Sequence, residues 1–563
     1  MELKLKLVKV NEEKHYEQAK ALKQAIINGS NCYQFLTFNH EAGFGKTLYT
    51  EQALIESAVA GKKSIFCRKF IEDCNQSVER INKDSGMEIA IAINSENVAK
   101  NKLLMHQYPI VVITHERYVG LSLDKEQRDI FTNGRNILVI DEEIDIVKPI
   151  VISTKSISEF SGKLMPYPFT RATYEECTKE IYEFLLTNKN RIFYKPSDNK
   201  MEKLRELRTF INSNIDINYA EQLGITKDDF YREVNNLELA LNNLSVVENS
   251  VLCTYNNEVE FWMLKNNILL DACADFNYLY RVSPKFNIAS QEKVVDHSQW
   301  TINIAKYNSC RTKKKKTKNF YRVINDDIIS RLEADDKMLV LGSKDEQDEI
   351  VRHHQLDYAW FQNIVGKNDW REFNKCYIVL NPQIPFPIYV LKYMFYSKLS
   401  CNAGDKWDAG SIGGVYRFRN TEFEKVRQTL IAAELYQAIK RINRDNNKEA
   451  IIYLINNDQE ILNKLIEQFN NINIKEYSLN LEYKVSEKKV AYAEKQRDNS
   501  NYTSFIRFIS TLDKGVYQKK WVCEQIGFLD PKNLSKSILK KETVMKYMEE
   551  SNIKPQGQSI IVS

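Results

Sequence analysis

Two buried strands, each ending in its own chemistry, constrain this chain more than any other feature. Gln34-Phe35-Leu36-Thr37-Phe38 is apolar and aromatic and runs directly into His40-Glu41-Ala42-Gly43-Phe44-Gly45-Lys46-Thr47. Leu48 to Ala60 follows with apolar positions at Leu48, Ala53, Leu54, Ala58 and Val59 and no proline, so the order is strand, glycine loop, helix. Glycines let backbone N–H groups turn inward at a helix N-terminus, whose partial positive charge favours an anion. Gly43, Gly45, Lys46 and Thr47 are thus candidate phosphate ligands, with Lys46 reaching the β and γ phosphates and Thr47 offering its hydroxyl to Mg²⁺. His40 stands where the full loop pattern has its first glycine.

Asp141 follows Lys46 by 95 residues, room for several strand–helix units between the two. Asn136-Ile137-Leu138-Val139-Ile140 reads as a parallel strand that delivers Asp141-Glu142-Glu143 at its C-terminal edge, where ligands of open α/β sheets bind. There Asp141 would hold Mg²⁺ and Glu142 would orient the attacking water. The ligand implied is ATP with Mg²⁺. Between the two motifs, Ser64-Ile65-Phe66-Cys67 precedes Arg68-Lys69, and Pro109 to Ile113 precedes Thr114-His115-Glu116. Farther on, the strand-like run Ile268-Leu269-Leu270 ends in Asp271-Ala272-Cys273, and Lys337 to Leu341 ends in Gly342-Ser343-Lys344. Gly366-Lys367-Asn368-Asp369-Trp370 precedes a strand at Cys376 to Leu380. Gln437, Arg441 and Arg444 are spaced four and three residues apart, which predicts one face of a helix, followed by a strand at Ala450 to Ile455.

Taken in order from Phe35 to about Ile455, these stretches resemble the motifs of superfamily 2 helicases and translocases. The resemblance implies an α/β fold with two RecA-like parallel-sheet lobes and ATP hydrolysed between them. Gln437, Arg441 and Arg444 match the Q-x-x-x-R-x-x-R core of motif VI, which implies arginines brought from the second lobe to neutralise transition-state charge. Lys440 stands where the family has glycine, and Asp271-Ala272-Cys273 stands where its motif III has Ser-Ala-Thr. By the same resemblance Arg68, Lys69, Thr114, Ser343, Lys344 and Asn368 are candidate nucleic-acid contacts. Ile144 departs from both the DEAD and the DEAH form and leaves the subfamily open.

The expected organisation is lobe one over 1–290 with a helical insertion at about 151–252, lobe two over 291–485, a connector over 486–500 and a C-terminal module over 501–563. Three apolar stripes support the insertion. They are Tyr174, Cys177, Ile181, Phe184 and Leu185; then Leu204, Leu207, Phe210 and Ile211; then Phe230, Val234, Leu237 and Leu241 behind a Thr226–Asp229 cap. The insertion could guide a strand, bind a protein partner or be plain core. The basic run Arg311 to Lys318 reads as a mobile phosphate-contacting loop or a solvated linker.

Net charge is +5, and the tail from Asn501 holds ten Lys or Arg against six Asp or Glu, so most of the excess lies there. Its three short helical stretches, with Gly527 at a turn and Asp530-Pro531 opening the third, are followed by a possible wing, Gln556-Gly557-Gln558 before Ser559 to Val562. A winged helix would set Lys532, Ser535, Lys536 and Lys540 against duplex DNA; a protein-docking helical module fits the same pattern. The start MELKLKLVKV lacks a signal-peptide core and no run spans a bilayer, so a cytoplasmic protein with no membrane partner is expected. Ten cysteines show no C-x-x-C pair, and only Cys67 and Cys74 lie between the two nucleotide motifs, against the four clustered thiolates of an iron–sulfur insertion. DNA is favoured over RNA as partner. The alternatives are an ATP-gated replication initiator without sustained unwinding and the motor subunit of a restriction, repair or defence complex.

Overall fold

Alternation along the central strands decides the architecture, because every second side chain must find a core on its own side of the sheet. The computed structural model describes residues 11–197, 200–214, 226–364, 369–412, 414–481, 501–526 and 531–563. Strands β1 (Phe35–Phe38), β2 (Ser64–Arg68), β3 (Ala90–Ile93), β4 (Ile110–Thr114) and β5 (Ile137–Asp141) belong to one sheet. After β5 the chain leaves for an insertion holding β6 (Ile150–Ser153), β7 (Ile192–Tyr194), β8 (Ser245–Glu248) and β9 (Val251–Thr254). It then returns as β10 (Asn266–Leu270) and β11 (Phe286–Ala289). The first sheet is parallel throughout, in the order β11-β1-β10-β5-β2-β4-β3. Cys67, Val111, Ile113 and Ile140 fill one face, while Phe66, Ile110, Val112 and Val139 fill the other. All five expected strand runs of this lobe are strands, and they send the polar loops at their C-terminal ends to one edge.

The insertion is not purely helical. Its three expected stripes do lie on helices, Pro168–Thr187, Met201–Asn214 and Lys227–Asn242, and form a core of their own. Beside them stands a four-stranded antiparallel sheet, β6-β9-β8-β7. Asn249 and Ser250, at φ 51° and 65°, make the two-residue turn between β8 and β9; asparagine tolerates this left-handed backbone, and the primed turn matches strand twist.

A second parallel sheet is built from β12 (Trp300–Ala305), β13 (Met338–Gly342), β14 (Leu356–Trp360) and β15 (Lys375–Ile378), joined, after the hairpin β16 (Ala409–Ile412) and β17 (Val415–Phe418), by β18 (Ala450–Ile455) and β19 (Asn473–Glu476). Its order is β14-β13-β15-β18-β12-β19. The helix Phe386–Ser397, which belongs to this half of the sequence, buries Phe386, Tyr389, Val390 and Tyr396 in the same core as Phe35, Leu269 and Phe286 of the first lobe. Main chain also crosses between the halves: Phe193 N–H donates to Asp405 O at 2.9 Å and Gly404 N–H to Phe193 O at 2.8 Å. The basic run is neither a mobile loop nor a solvated linker at its start. Arg311–Lys315 forms a short helix, and buried Lys314 pairs with Glu346 at 2.9 Å.

Residues 501–563 build a compact unit of their own. Helix Asn501–Ile509, strand β20 (Gly515–Gln518), helix Lys519–Gln525, a short helical stretch from Pro531 to Ile538 and helix Glu542–Glu550 lead to a hairpin of β21 (Ile553–Gln556) and β22 (Ser559–Val562). The sheet order β20-β22-β21 closes around Phe505, Val522, Leu534, Val544 and Ile560, and Gly557 turns the wing at φ 56°. Buried Lys519 donates to Gly557 O at 2.7 Å and to Ser535 Oγ at 3.1 Å, so Ser535 serves the wing's own packing. Gly527, Asp530 and the connector expected over 486–500 lie outside the described residues.

One buried charge group fixes the long helix Thr421–Ile439. Arg427, wholly buried, donates to Glu424 at 2.6 and 2.9 Å and to Asp458 at 2.6 Å. Removing one member of such a group strands the others in low dielectric, so Arg427→Ala is expected to cost about 3–5 kcal/mol. Urea unfolding measures it; a loss below about 1 kcal/mol would contradict the role given to this group.

Candidate active site

The candidate phosphate loop is held in shape by its own contacts. Gly43 and Gly45 both sit at φ 92°, a conformation that a side chain would strain, and Gly45 caps the helix Lys46–Val59. Lys46 Nζ donates to His40 O at 2.8 Å and to Glu41 O at 3.2 Å, curling the loop around its own ammonium. Burial lowers the Lys46 pKa, while Asp141, Asp271 and Glu142 oppose that shift. The side chain at position 40 is part of the architecture. His40 stacks on Phe44 with ring centroids 4.2 Å apart, and His15, on the helix Glu12–Asn28, donates through Nε2 to Phe44 O at 3.1 Å. Glu41 accepts from Val294 and Val295 N–H at 2.7 and 3.0 Å, which ties the loop to the segment leading into the second lobe.

β5 brings Asp141 to the same place. Thr47 Oγ1 donates to Asp141 Oδ2 at 2.6 Å, so the expected Mg²⁺ ligands meet directly. A hydroxyl and a carboxylate beside a phosphate loop suit Mg²⁺, which prefers oxygen and keeps several waters. Arg68 is placed differently from expectation: its guanidinium lies on Asp141 and donates to Thr47 Oγ1 at 3.1 Å, on the nucleotide side. Lys69 Nζ is 3.7 Å from Glu142. Thr114 is engaged as a helix cap, accepting from Arg117 N–H at 3.1 Å. His115, next along, donates through Nε2 to Asp141 O at 2.9 Å. Glu142 itself has φ 73°, rare for a residue with a side chain, and its N–H donates to Leu270 O at 2.8 Å. Burial pushes the neighbouring Glu143 carboxyl up to about 7, against the pull of Lys392.

The second lobe reaches this site through the end of the helix Thr421–Ile439. Gln437, on its last turn, donates to Cys273 Sγ at 3.9 Å, joining the two motifs that the sequence places far apart. Arg441 and Arg444 do not share that helix face as the spacing predicts, because the helix stops at Ile439. Asn443 and Asn446 then take left-handed backbone, φ 40° and 50°, and Asn443 Nδ2 donates to Lys448 O at 2.8 Å. The resulting turn carries the Arg444 carbonyl against the phosphate loop, where a Cβ added to Gly43 would lie 3.9 Å from it. Burial lowers the pKa of both arginines, that of Arg444 to about 10, and Glu142 acts on each in the opposite sense. Lys440 is buried, donates to His297 at 3.0 Å and sits over the Trp300 ring, and burial pushes it down to about 8 although Glu41 of the loop acts in the opposite sense.

Ser343 caps the turn after β13 with Glu346, and Lys344 sits over the Trp360 ring. Lys532 and Lys536 are exposed on the C-terminal unit, and Asn368 lies outside the described residues, with Gly366 and Lys367. Sequence reasoning missed His15, Glu41, His115 and Lys392, which stand outside the motif cores or count as ordinary loop residues there. Among the described residues, no helix is long and apolar enough to cross a membrane.

Comparison with known proteins agrees with this layout. Residues 16–148 match the DEAD/DEAH box helicase family. No curated protein sequence matches the chain. Among solved structures, apo XPD aligns over 83% of this chain and 100% of its own, at 14% identity and a TM-score of 0.52. Xpd4 from S. tokodaii gives the same coverages at 13% identity and a TM-score of 0.51. The resemblance to superfamily 2 helicases therefore rests on a family match within the first lobe and on a shared two-lobed fold.

Buried histidines make the site sensitive to acid. Burial drives His40 and His115 down to about 3 and His297 to about 2, from an ordinary 6.5. Each is neutral when folded and takes up its proton only on unfolding, so its contribution is complete above pH 6.5 and is lost as pH falls below that value. Between pH 7 and pH 5 each such histidine should cost about 2 kcal/mol. The urea midpoint is expected to fall across that interval; a flat profile would show that the rings are not held neutral.

Proposed function

We propose that this chain is a nucleic-acid motor that hydrolyses ATP between its two lobes and uses the cycle to move along or remodel DNA. The observation that carries the reading is the convergence of both lobes on one loop, whose Thr47 donates to Asp141 at 2.6 Å and whose Gly43 lies against the Arg444 turn. In this reading the amides of the loop and Lys46 bind the β and γ phosphates. Thr47 and Asp141 would hold Mg²⁺, whose charge would offset that of the phosphates. Arg68, paired with Asp141, would have to yield that carboxylate to the metal. Glu142 orients the attacking water and accepts its proton, while Arg441 and Arg444 neutralise charge that develops on the transferred phosphoryl group. Gln437 and Cys273 link the arginine-bearing segment to the strand next to β5, so closure of the lobes and completion of the site are one event.

DNA is favoured over RNA on the helix–strand–hairpin order of the C-terminal unit and its exposed Lys532 and Lys536. A second reading, an ATP-gated clamp on DNA without sustained translocation, is favoured by one observation: the shared core and paired main chain that join the halves limit how far they can part.

Lys46→Ala is expected to abolish hydrolysis and weaken nucleotide binding, while Glu142→Gln should keep ATP bound and uncleaved. Arg441→Ala or Arg444→Ala should lower the turnover number about 10²-fold or more with little change in ATP affinity, since arginine acts on the transition state. Steady-state hydrolysis and equilibrium binding measure both. Ordinary turnover in Glu142→Gln, or in both arginine variants, would overturn the assignment.

Removing residues 501–563 should weaken duplex binding and flatten its salt dependence, because fewer counterions are released, while basal hydrolysis survives. Duplex titrations at several salt concentrations read this out. Equal affinities and equal slopes would assign the unit to protein docking.

A further inference from the structure

The backbone at Glu142 has to be held from outside. A non-glycine residue at positive φ persists at a functional site only where its surroundings over-determine it. Upstream the anchors are internal to the first lobe, the Glu142 N–H on Leu270 O and His115 on Asp141 O. Downstream the turn is fixed by alternation. Ile144 and Ile146 are buried in the first lobe's core, Asn277 Nδ2 donates to Glu143 at 3.2 Å, and Asp145 points outward. Asp145 is met by Lys392 Nζ at 2.7 Å and by its own neighbour Lys148 at 3.5 Å. Only 13% of the Lys392 side chain is exposed, so its stem is packed and its ammonium has little freedom to leave.

Lys392 does not come from the first lobe's sequence. It sits on the helix Phe386–Ser397, which also packs against the helix Thr421–Ile439, Tyr393 meeting Phe423 with ring centroids 5.4 Å apart. That second helix carries Gln437 and leads into the turn of Arg441 and Arg444. One lysine thus joins the helix packed against the arginine-bearing element to the turn that follows the water-orienting glutamate.

We propose that Lys392 is a positioning residue for Glu142, holding the 143–145 turn through Asp145 so that the glutamate keeps its left-handed backbone and stays aligned when the second lobe closes. The proposal rests on the ATP-hydrolysis reading. It predicts a loss in turnover without a matching loss in binding, because Lys392 touches no nucleotide ligand.

The test uses the full chain with Lys392→Met, which keeps the apolar stem and removes the charge, and Lys392→Arg, which restores the charge. Lys392→Met should lower the turnover number about tenfold, with KM for ATP within about twofold of the parent, and Lys392→Arg should recover most of the loss. If Lys392→Met fails to fold, Asp145→Asn removes the same pair from its half-exposed side and should give the same split. Unchanged turnover in the charge-removing variant, or Lys392→Arg no better than Lys392→Met, would overturn the proposal. A parent protein that hydrolyses no ATP would fail the functional reading itself, whereas an active parent with an indifferent Lys392 fails this inference alone.

Discussion

The contact of Thr47 with Asp141 is the constraint on which the remainder of the molecule is arranged. It requires the C-terminal ends of β1 and β5 to open on the same edge of one sheet, and a parallel sheet satisfies this because every crossover returns the chain in the same sense. The order β11-β1-β10-β5-β2 places β10 between β1 and β5. Asp271 and Cys273, at the end of β10, are thereby set between the phosphate loop and the acidic strand end. Gln437 of the second lobe reaches Cys273 there, so the link between the lobes passes through the middle of the site. The thiol gives a longer and weaker bond than a hydroxyl would.

The same constraint explains how the second lobe is tethered. Bringing Arg441 and Arg444 to the loop requires a rigid element that spans both halves, and the helix Phe386–Ser397 supplies it by burying aromatic residues in the first lobe's core while packing on the arginine-bearing helix. Arg191 adds a second tether from the insertion: it pairs with Glu248 in its own sheet and donates to Ala409 O at 2.9 Å in the hairpin of the other half.

How much of this was legible in the sequence depended on how locally each feature is determined. Buried parallel strands are near-continuous aliphatic runs, so Val111–Ile113 and Leu138–Ile140 announce themselves, and turn chemistry marked the wing at Gly557. The insertion's sheet was hidden because its strands are three or four residues long, shorter than the helical stripes around them; Asn249-Ser250 between β-branched runs was the available signal. The arginine segment was misplaced for a different reason. Spacing of four and three fits a helix, but the helix ends at Ile439 and Asn443 and Asn446 turn the chain beyond it, and asparagine's tolerance for left-handed backbone is legible only once a turn is suspected. Arg68 and Lys392 depend on tertiary contacts alone: nothing in their neighbours' sequence distinguishes a lysine on Asp145 from one in water.

ATP hydrolysis at a site that both lobes complete in response to nucleic acid underlies every role proposed above. Its most direct measurement is steady-state ATP hydrolysis by the intact chain, alone and with single-stranded DNA, duplex DNA and RNA in turn. Slow hydrolysis by the chain alone and a marked rise with DNA, larger than with RNA, is the expected result. Hydrolysis indifferent to every nucleic acid, or none under any condition, would contradict it.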